Sequence, residues 1–221
     1  MVKINKLFLG IFVIILTMAN ISQAASLVKM ENIASFSQLP KSDSVSGDIT
    51  PKLFSLNGKK LKLKPNLRFS GYEIIGGNVE IIDAVNGEKY AAFPITKPPY
   101  FSAKKLIANT GDEFVFLQTG RQGASDSACD RIWLFGLHKS SYVIFANIET
   151  INKAGLVYSD ISSSIESGEL KLLGFTRDRN CVNGMFKGHP TYPIGVANCG
   201  INSVYLFWDE KAQWFGIRKA D

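Results

Sequence analysis

The sequence predicts an all-β fold, a single-domain antiparallel sandwich or open barrel of about ten to eleven strands with at most short helices. Short runs of β-branched and aromatic residues recur from residue 51 onward, and Asn-Gly pairs of the kind that close hairpins separate the first of them. Several runs are apolar at successive positions, which is typical of strands that are covered on both faces. Hydrophobic residues make up 46% of the 221 residues, which excludes a globally disordered chain.

The first 24 residues have the three parts of a secretory signal peptide. Lys3 and Lys6 supply positive charge, residues 7–19 are apolar, and Ser22-Gln23-Ala24 offers small residues for cleavage. As a helix the apolar run would cover about 20 Å, which is too short for a bilayer core of about 30 Å. We therefore expect cleavage after Ala24, a periplasmic or secreted location, and no stable membrane insertion of the mature protein.

Residues 25–50 are rich in serine and contain few large apolar side chains. This composition predicts a flexible leader or loosely docked arm that precedes an all-β domain over residues 51–221.

Two hairpins are predicted from their turns. Asn57-Gly58 tolerates the positive φ angles of a type I′ turn and lies between Lys52–Leu56 and residues 60–64. Asn86-Gly87 gives a second hairpin in the same way. Further strands are predicted at 67–75, 113–119, 131–137, 142–148, 169–175, 203–208 and 213–218. The only stretches compatible with a helix are short, around 102–108 and 160–166.

Two of the predicted strands are apolar at every position. Ile132-Trp133-Leu134-Phe135 and Val143-Ile144-Phe145 place successive side chains on opposite faces of a sheet. Both faces must then be covered, so these strands are expected at the centre of the structure.

Positive charge is concentrated near the start of the mature chain. Without the two lysines of the signal peptide, 23 basic and 19 acidic residues leave a net charge of +4. Residues 25–68 hold eight basic and three acidic residues, whereas residues 69–221 hold 15 basic and 16 acidic residues. Because this main body is neutral, we expect no nucleic-acid partner.

A row of basic residues runs along the first predicted hairpin: Lys59, Lys60, Lys62, Lys64 and Arg68. Such a row is compatible with a ribbon that binds a polyanion. No aromatic residues interleave with the lysines to stack on bases or sugars, which favours the other interpretation, that the lysines protect an exposed sheet edge.

The three cysteines predict one disulfide, because two of them should pair in an oxidising compartment. Cys181 and Cys199 are the preferred pair, since the short loop between them is rich in turn-forming residues. Pairing of Cys129 with either of them stays open. The cysteine and histidine spacings lack the short knuckle of structural zinc sites, so no metal and no cofactor are expected.

Catalytic arrangements receive little support, so an enzyme is less expected than a binding protein. Ser125 does not fit the nucleophile-elbow pattern, and His138 and His189 are the only histidines available to a triad. An envelope hydrolase that uses acidic loop residues such as Asp126 and Asp130 is the alternative within the enzyme class.

Two predicted connections are longer than the roughly 4 to 6 residues usual in compact domains. The connection at 176–202 carries Arg177, Arg179 and His189, and the connection at 120–130 carries Arg121. Arginine is enriched among the residues that dominate binding energy at interfaces. We therefore predict a soluble envelope protein that binds a protein partner through these four residues, with inhibition of an enzyme or toxin as one version. A structural accessory of a surface assembly is a further alternative.

Overall fold

Fourteen strands and one short helix form three antiparallel sheets in the residues that the computed structural model describes, which are 25–38, 43–95, 99–120, 131–156, 160–175 and 201–220. Strands account for 72% of these residues and helix for 4%, which confirms the predicted all-β sandwich.

The three sheets follow the order of the chain closely. The middle sheet contains β1 (Leu27–Ser37), β2 (Ser46–Gly47), β7 (Tyr100–Ala108), β8 (Glu113–Gly120), β9 (Arg131–His138) and β10 (Ser141–Asn147) in the order β10-β9-β8-β7-β1-β2. The N-terminal sheet contains β3 (Lys52–Leu56), β4 (Lys59–Ser70), β5 (Glu73–Asp83) and β6 (Lys89–Ile95) in sequence order. The C-terminal sheet contains β11 (Asp160–Glu166), β12 (Glu169–Phe175), β13 (Ile201–Asp209) and β14 (Trp214–Lys219), also in sequence order. The helix, α1, spans Ile148–Lys153.

The middle sheet has a hydrophobic core on each of its faces. In β8, Phe114 and Phe116 belong to the core shared with the C-terminal sheet, whereas Val115 and Leu117 belong to the core shared with the N-terminal sheet. Leu134 and Phe135 of β9 divide in the same way. Since successive side chains of a strand point to opposite faces, β8 and β9 are covered on both sides, as the sequence predicts for 132–135. The prediction for 143–145 is only partly right, because Ile144 is exposed on β10 at the sheet's edge.

An aromatic cluster joins the middle and C-terminal sheets. The ring centroid of Phe114 lies 5.8 Å from that of Phe145, 4.7 Å from that of Trp208 and 4.8 Å from that of Phe215. The indole N–H of Trp208 donates to a carboxylate oxygen of Asp112 at 3.0 Å, so its one polar group is satisfied inside the core.

The prediction of a flexible leader or loosely docked arm over residues 25–50 is wrong for residues 27–37, which form strand β1. This strand belongs to the middle sheet and pairs with β7 from Leu27 opposite Ala108 to Ser37 opposite Tyr100, whereas β2 pairs with it only at Phe36 and Ser37. Two register shifts interrupt the pairing, between Leu27 and Lys29 and between Asn32 and Ala34. These irregularities break the alternation of apolar and polar residues by which a strand is predicted from sequence.

Both stretches that the sequence leaves open to a helix are strands in the structure. Residues 102–108 belong to β7 and residues 160–166 form β11, and each is hydrogen-bonded to neighbouring strands. Lysine and alanine in 102–108 favour a helix locally, but pairing and burial within a sheet override that preference. The helix that does form, α1, begins after Asn147, whose side chain accepts a hydrogen bond from the Thr150 N–H.

The first predicted turn is confirmed and the second is shifted. Asn57 and Gly58 have φ angles of 50° and 77°, as a type I′ turn requires. At the second hairpin β5 ends at Asp83, and only Gly87 of the predicted pair has a positive φ. The predicted strand 67–75 also contains a turn, because β4 ends at Ser70 and β5 begins at Glu73.

Candidate binding surfaces

The strands run between two ends of the molecule, one with short turns and the other with the long connections. At one end, which we call the turn end, short turns join the strands: 57–58, 109–112, 139–140, 167–168 and 210–213. At the other end, the loop end, Tyr100 pairs with both Ser37 and Gly120, and Thr119 pairs with Arg131. The long connection between β8 and β9 therefore starts and finishes at the loop end.

The second long connection has its ends on the same side. Phe175 of β12 pairs with Asp160 and with Ile201. The side-chain amide of Gln118, near the end of β8, donates to the Ile161 backbone oxygen at 3.0 Å, which places this end of the C-terminal sheet beside the loop end of the middle sheet. The register thus brings together the attachment points of both long connections that the sequence singles out.

The predicted contact and disulfide residues lie outside the described residues. This applies to Arg121, Arg177, Arg179 and His189, to the preferred disulfide of Cys181 with Cys199, and to Cys129. It applies equally to the signal peptide over 1–24 and to Asp126 and Asp130 of the hydrolase alternative.

An exposed hairpin tip at the loop end presents large apolar side chains. Phe69, Tyr72 and Ile75, at and beside the β4–β5 turn, are 48%, 74% and 41% exposed. The tip is anchored by Gln38, a buried residue at the end of β1. Its amide donates to the Tyr72 backbone oxygen at 2.9 Å, and its amide oxygen accepts from the Ile74 N–H at 2.8 Å. Sequence reasoning missed this surface because it assigned residues 67–75 to one continuous strand.

A polar groove of about 350 Å³ also opens at the loop end, between β1, β2 and β7 of the middle sheet. Its lining includes Ser35, Ser37, Ser102 and the half-buried Lys104. The Lys104 ammonium donates to the Ser163 hydroxyl at 3.2 Å and has no acidic partner among the described residues. Burial lowers the pKa of Lys104, because the charged form loses solvation there.

For Lys59, Lys60 and Lys62 the edge interpretation is wrong, because residues 59–63 of β4 pair with β3 on the side away from β5. Lys64 and Arg68 lie beyond the end of β3 and pair with β5 only. Because Leu61 and Leu63 point into the core, Lys60, Lys62 and Lys64 point out from the sheet. With Arg68 they form a basic outer face, and none of the four makes an ion pair with a described residue.

A shallow cavity of about 500 Å³ lies on this outer face. Leu53 of β3, Lys60 and Lys62 of β4, and Ala84 and Val85 of the following turn are among its lining residues. It therefore combines an apolar surface with two cations.

Lys59 belongs to a separate polar cluster on the inner side of the N-terminal sheet. Its ammonium lies 3.1 Å from a carboxylate oxygen of Asp83, 4.7 Å above the Tyr90 ring and 5.8 Å above the ring of Tyr142 in β10. The Tyr90 hydroxyl donates to Asp83 at 3.0 Å. These contacts connect the N-terminal sheet to the middle sheet, so the cluster has a structural role.

The pKa of Asp83 is lowered to about 2 in this cluster, first because the Val85 N–H donates to its carboxylate, and further because of Lys59 and the Asn86 N–H. Its ordinary value is 3.8, so the charged form stabilises the fold above about pH 4 and this contribution is lost as the pH falls toward 2. We expect Asp83→Asn to be less stable than the wild type at neutral pH, and the difference between them to shrink below pH 4. Urea unfolding of both proteins from pH 7 to pH 2 measures this, and a difference independent of pH would contradict it.

Three described carboxylates near strand ends, those of Asp112, Glu113 and Asp209, are engaged in structural contacts. Asp112 accepts from Trp208, and Asp209 accepts from the N–H groups of Lys211 and Ala212 in the β13–β14 turn. Glu113 is bound by Lys105 at 2.8 Å. Within the described part of the chain no group of three histidine, cysteine or acidic side chains is placed to hold a metal ion.

Comparison with family models, with curated proteins and with solved structures gives no match for this chain. No helix in the described residues combines the length and the apolar character needed to cross a bilayer.

Proposed function

We propose that the protein is a secreted envelope protein that binds an acidic protein partner through its loop end. The observation that carries the proposal is the strand register, which gathers the attachment points of both long connections at the end where an anchored hairpin tip presents Phe69 and Tyr72. Binding residues commonly lie on loops that a rigid sheet framework positions.

The chemistry of the loop end favours protein recognition. Exposed aromatic side chains are the residue type that most often anchors an interface, and large exposed apolar surfaces are uncommon without a role. Gln38 fixes the backbone beneath Tyr72, so little conformational freedom is lost when a partner covers the tip. Lys104, without an acidic partner among the described residues, adds positive charge nearby.

The four residues singled out in the sequence complete the proposal. Arg121 belongs to the first long connection, and Arg177, Arg179 and His189 belong to the second, where a disulfide between Cys181 and Cys199 would restrict the backbone. Arginine pairs with carboxylates in bidentate geometry, which suits an acidic partner. A rigid surface of this kind also suits inhibition or neutralisation of an enzyme or toxin, since neither requires catalytic groups.

We expect replacement of Arg177 and Arg179 by glutamine to weaken partner binding at least tenfold, about 1.4 kcal/mol, because truncating buried charge pairs accelerates dissociation. The mature protein serves as bait in an envelope extract, and the affinity of the captured partner is then measured for each variant. Phe69→Ser with Tyr72→Ser should have a similar effect.

The matched control is Lys139→Gln with Lys211→Gln, which removes two exposed lysines from the turn end. It should leave the affinity unchanged. If binding is lost with Lys60→Gln and Lys62→Gln but kept in both loop-end variants, the contact surface is the outer face and the proposal is wrong.

A further inference from the structure

We propose that the cavity on the outer face of the N-terminal sheet, here called the outer groove, binds a single-chain amphiphile with an anionic head group. The groove lies between β3, β4 and the turn after β5, on a different face from the loop end. The inference therefore does not depend on the proposed protein partner.

The walls of the outer groove are held in place by hydrogen bonds. The Ala84 N–H donates to the Lys60 backbone oxygen at 3.0 Å, which fixes the turn against β4. The Asp83 carboxylate accepts from the Val85 N–H at 2.7 Å and so orders the turn itself. The groove is thus a formed feature of three connected elements. Its volume of about 500 Å³ falls within the roughly 300–1,000 Å³ range typical of small-molecule sites.

Two large apolar side chains in the groove are unusually exposed. Leu53 is 71% exposed and Val85 is 86% exposed, and Ala84 adds to the apolar lining. Covering such surface with a hydrocarbon chain is favourable in proportion to the area removed from water. The apolar part of the groove is therefore suited to bind an acyl chain.

The charge beside this apolar surface selects the head group. Three neighbouring lysines are neutralised, since Lys52 pairs with Asp48, Lys59 with Asp83, and Lys89 with Glu80. Lys60 and Lys62 line the groove and have no ion pair with any described residue. Two cations without counterions attract a carboxylate or phosphate and repel a cationic head group.

The apolar surface and the two lysines lie side by side, which favours an amphiphile over an acidic peptide as the ligand. The apolar side chains and both ammonium groups line one cavity on the face of the sheet. A peptide that recognises a sheet by strand addition would instead pair along the open edge of β3. One chain with one anionic group satisfies both features of the groove.

The test is titration of the mature protein with laurate below its micelle concentration, followed by NMR of methyl-labelled leucine and valine. We expect saturable shifts of the Leu53 and Val85 methyl groups, and binding at least tenfold tighter than that of dodecyltrimethylammonium, which has a hydrocarbon chain of nearly the same length and a positive head. Acetate, which has the charge without the chain, should cause no shift at the same concentration.

Variants identify the groove as the site. Lys60→Gln with Lys62→Gln, and separately Val85→Asp, should each weaken laurate binding at least tenfold. The controls, Lys139→Gln with Lys211→Gln and Val28→Asp at another exposed valine, should bind as the wild type does. Equal binding of both surfactants, no loss in the groove variants, or tighter binding of an alternating glutamate and valine peptide than of laurate would each overturn the proposal. The methyl spectrum of every variant reports whether it is folded.

Discussion

Replacing Phe114 with alanine is expected to lower the free energy of unfolding by about 3–5 kcal/mol. Phe114 is buried in β8 and its ring touches Phe145, Trp208 and Phe215, so it connects the middle and C-terminal sheets. Truncation removes its own burial and leaves a cavity that these rigid aromatic neighbours cannot fill. Urea unfolding followed by tryptophan fluorescence measures the change.

A matched variant separates this effect from a general sensitivity to substitution. Val85→Ala removes apolar atoms from a side chain that is 86% exposed, so its stability should change by no more than about 0.5 kcal/mol. A loss below about 1 kcal/mol for Phe114→Ala would show that the aromatic cluster does not hold the two sheets together.

The parts of the fold that the sequence predicts correctly are those where local chemistry and the final structure agree. The turn at Asn57-Gly58 depends only on backbone conformations that these two residues tolerate, so the two residue types are enough to predict it. The apolar residues of 132–135 require cover on both faces in any β fold. The sequence fails where pairing between distant strands determines the structure. Strand β1 was missed because its register is irregular, and β7 was not recognised as a strand because it contains residues that favour a helix in isolation.

The binding surfaces were predictable only in part. The lysine row is evident from its spacing, but its role depends on whether β4 lies at an edge, which the sequence does not encode locally. The lengths of the two long connections indicate unusual loops. That both connections attach at the same end of the molecule follows only from the register of the strands. Leu53 and Val85 line the same groove although they belong to different elements, and no sequence spacing reveals that they do.

The turn at Asn57-Gly58 also holds the N-terminal sheet against the middle sheet, and the substitution Asn57→Ala tests this role. The Asn57 side chain donates to the Glu113 backbone oxygen and accepts from the Glu113 N–H, both at 2.9 Å. These bonds fasten the first hairpin to β8 of the middle sheet. Alanine loses both, worth about 1–3 kcal/mol, and tolerates the positive φ less well than asparagine does, which costs up to about 1–2 kcal/mol more. We therefore expect a loss of about 2–5 kcal/mol in urea unfolding.

Asn57→Gly distinguishes the two contributions, because glycine adopts the φ of 50° without strain but makes neither side-chain bond. It should lose about 1–3 kcal/mol, less than the alanine variant by the conformational cost alone. The Asn57 N–H donates to the Glu113 carboxylate at 2.7 Å and keeps this bond in both variants, so the comparison isolates the side chain. If the Asn57→Gly protein is as stable as the wild type, the Asn57 side chain matters only for the turn conformation. The N-terminal and middle sheets would then be held together by their apolar core and the Lys59 cluster.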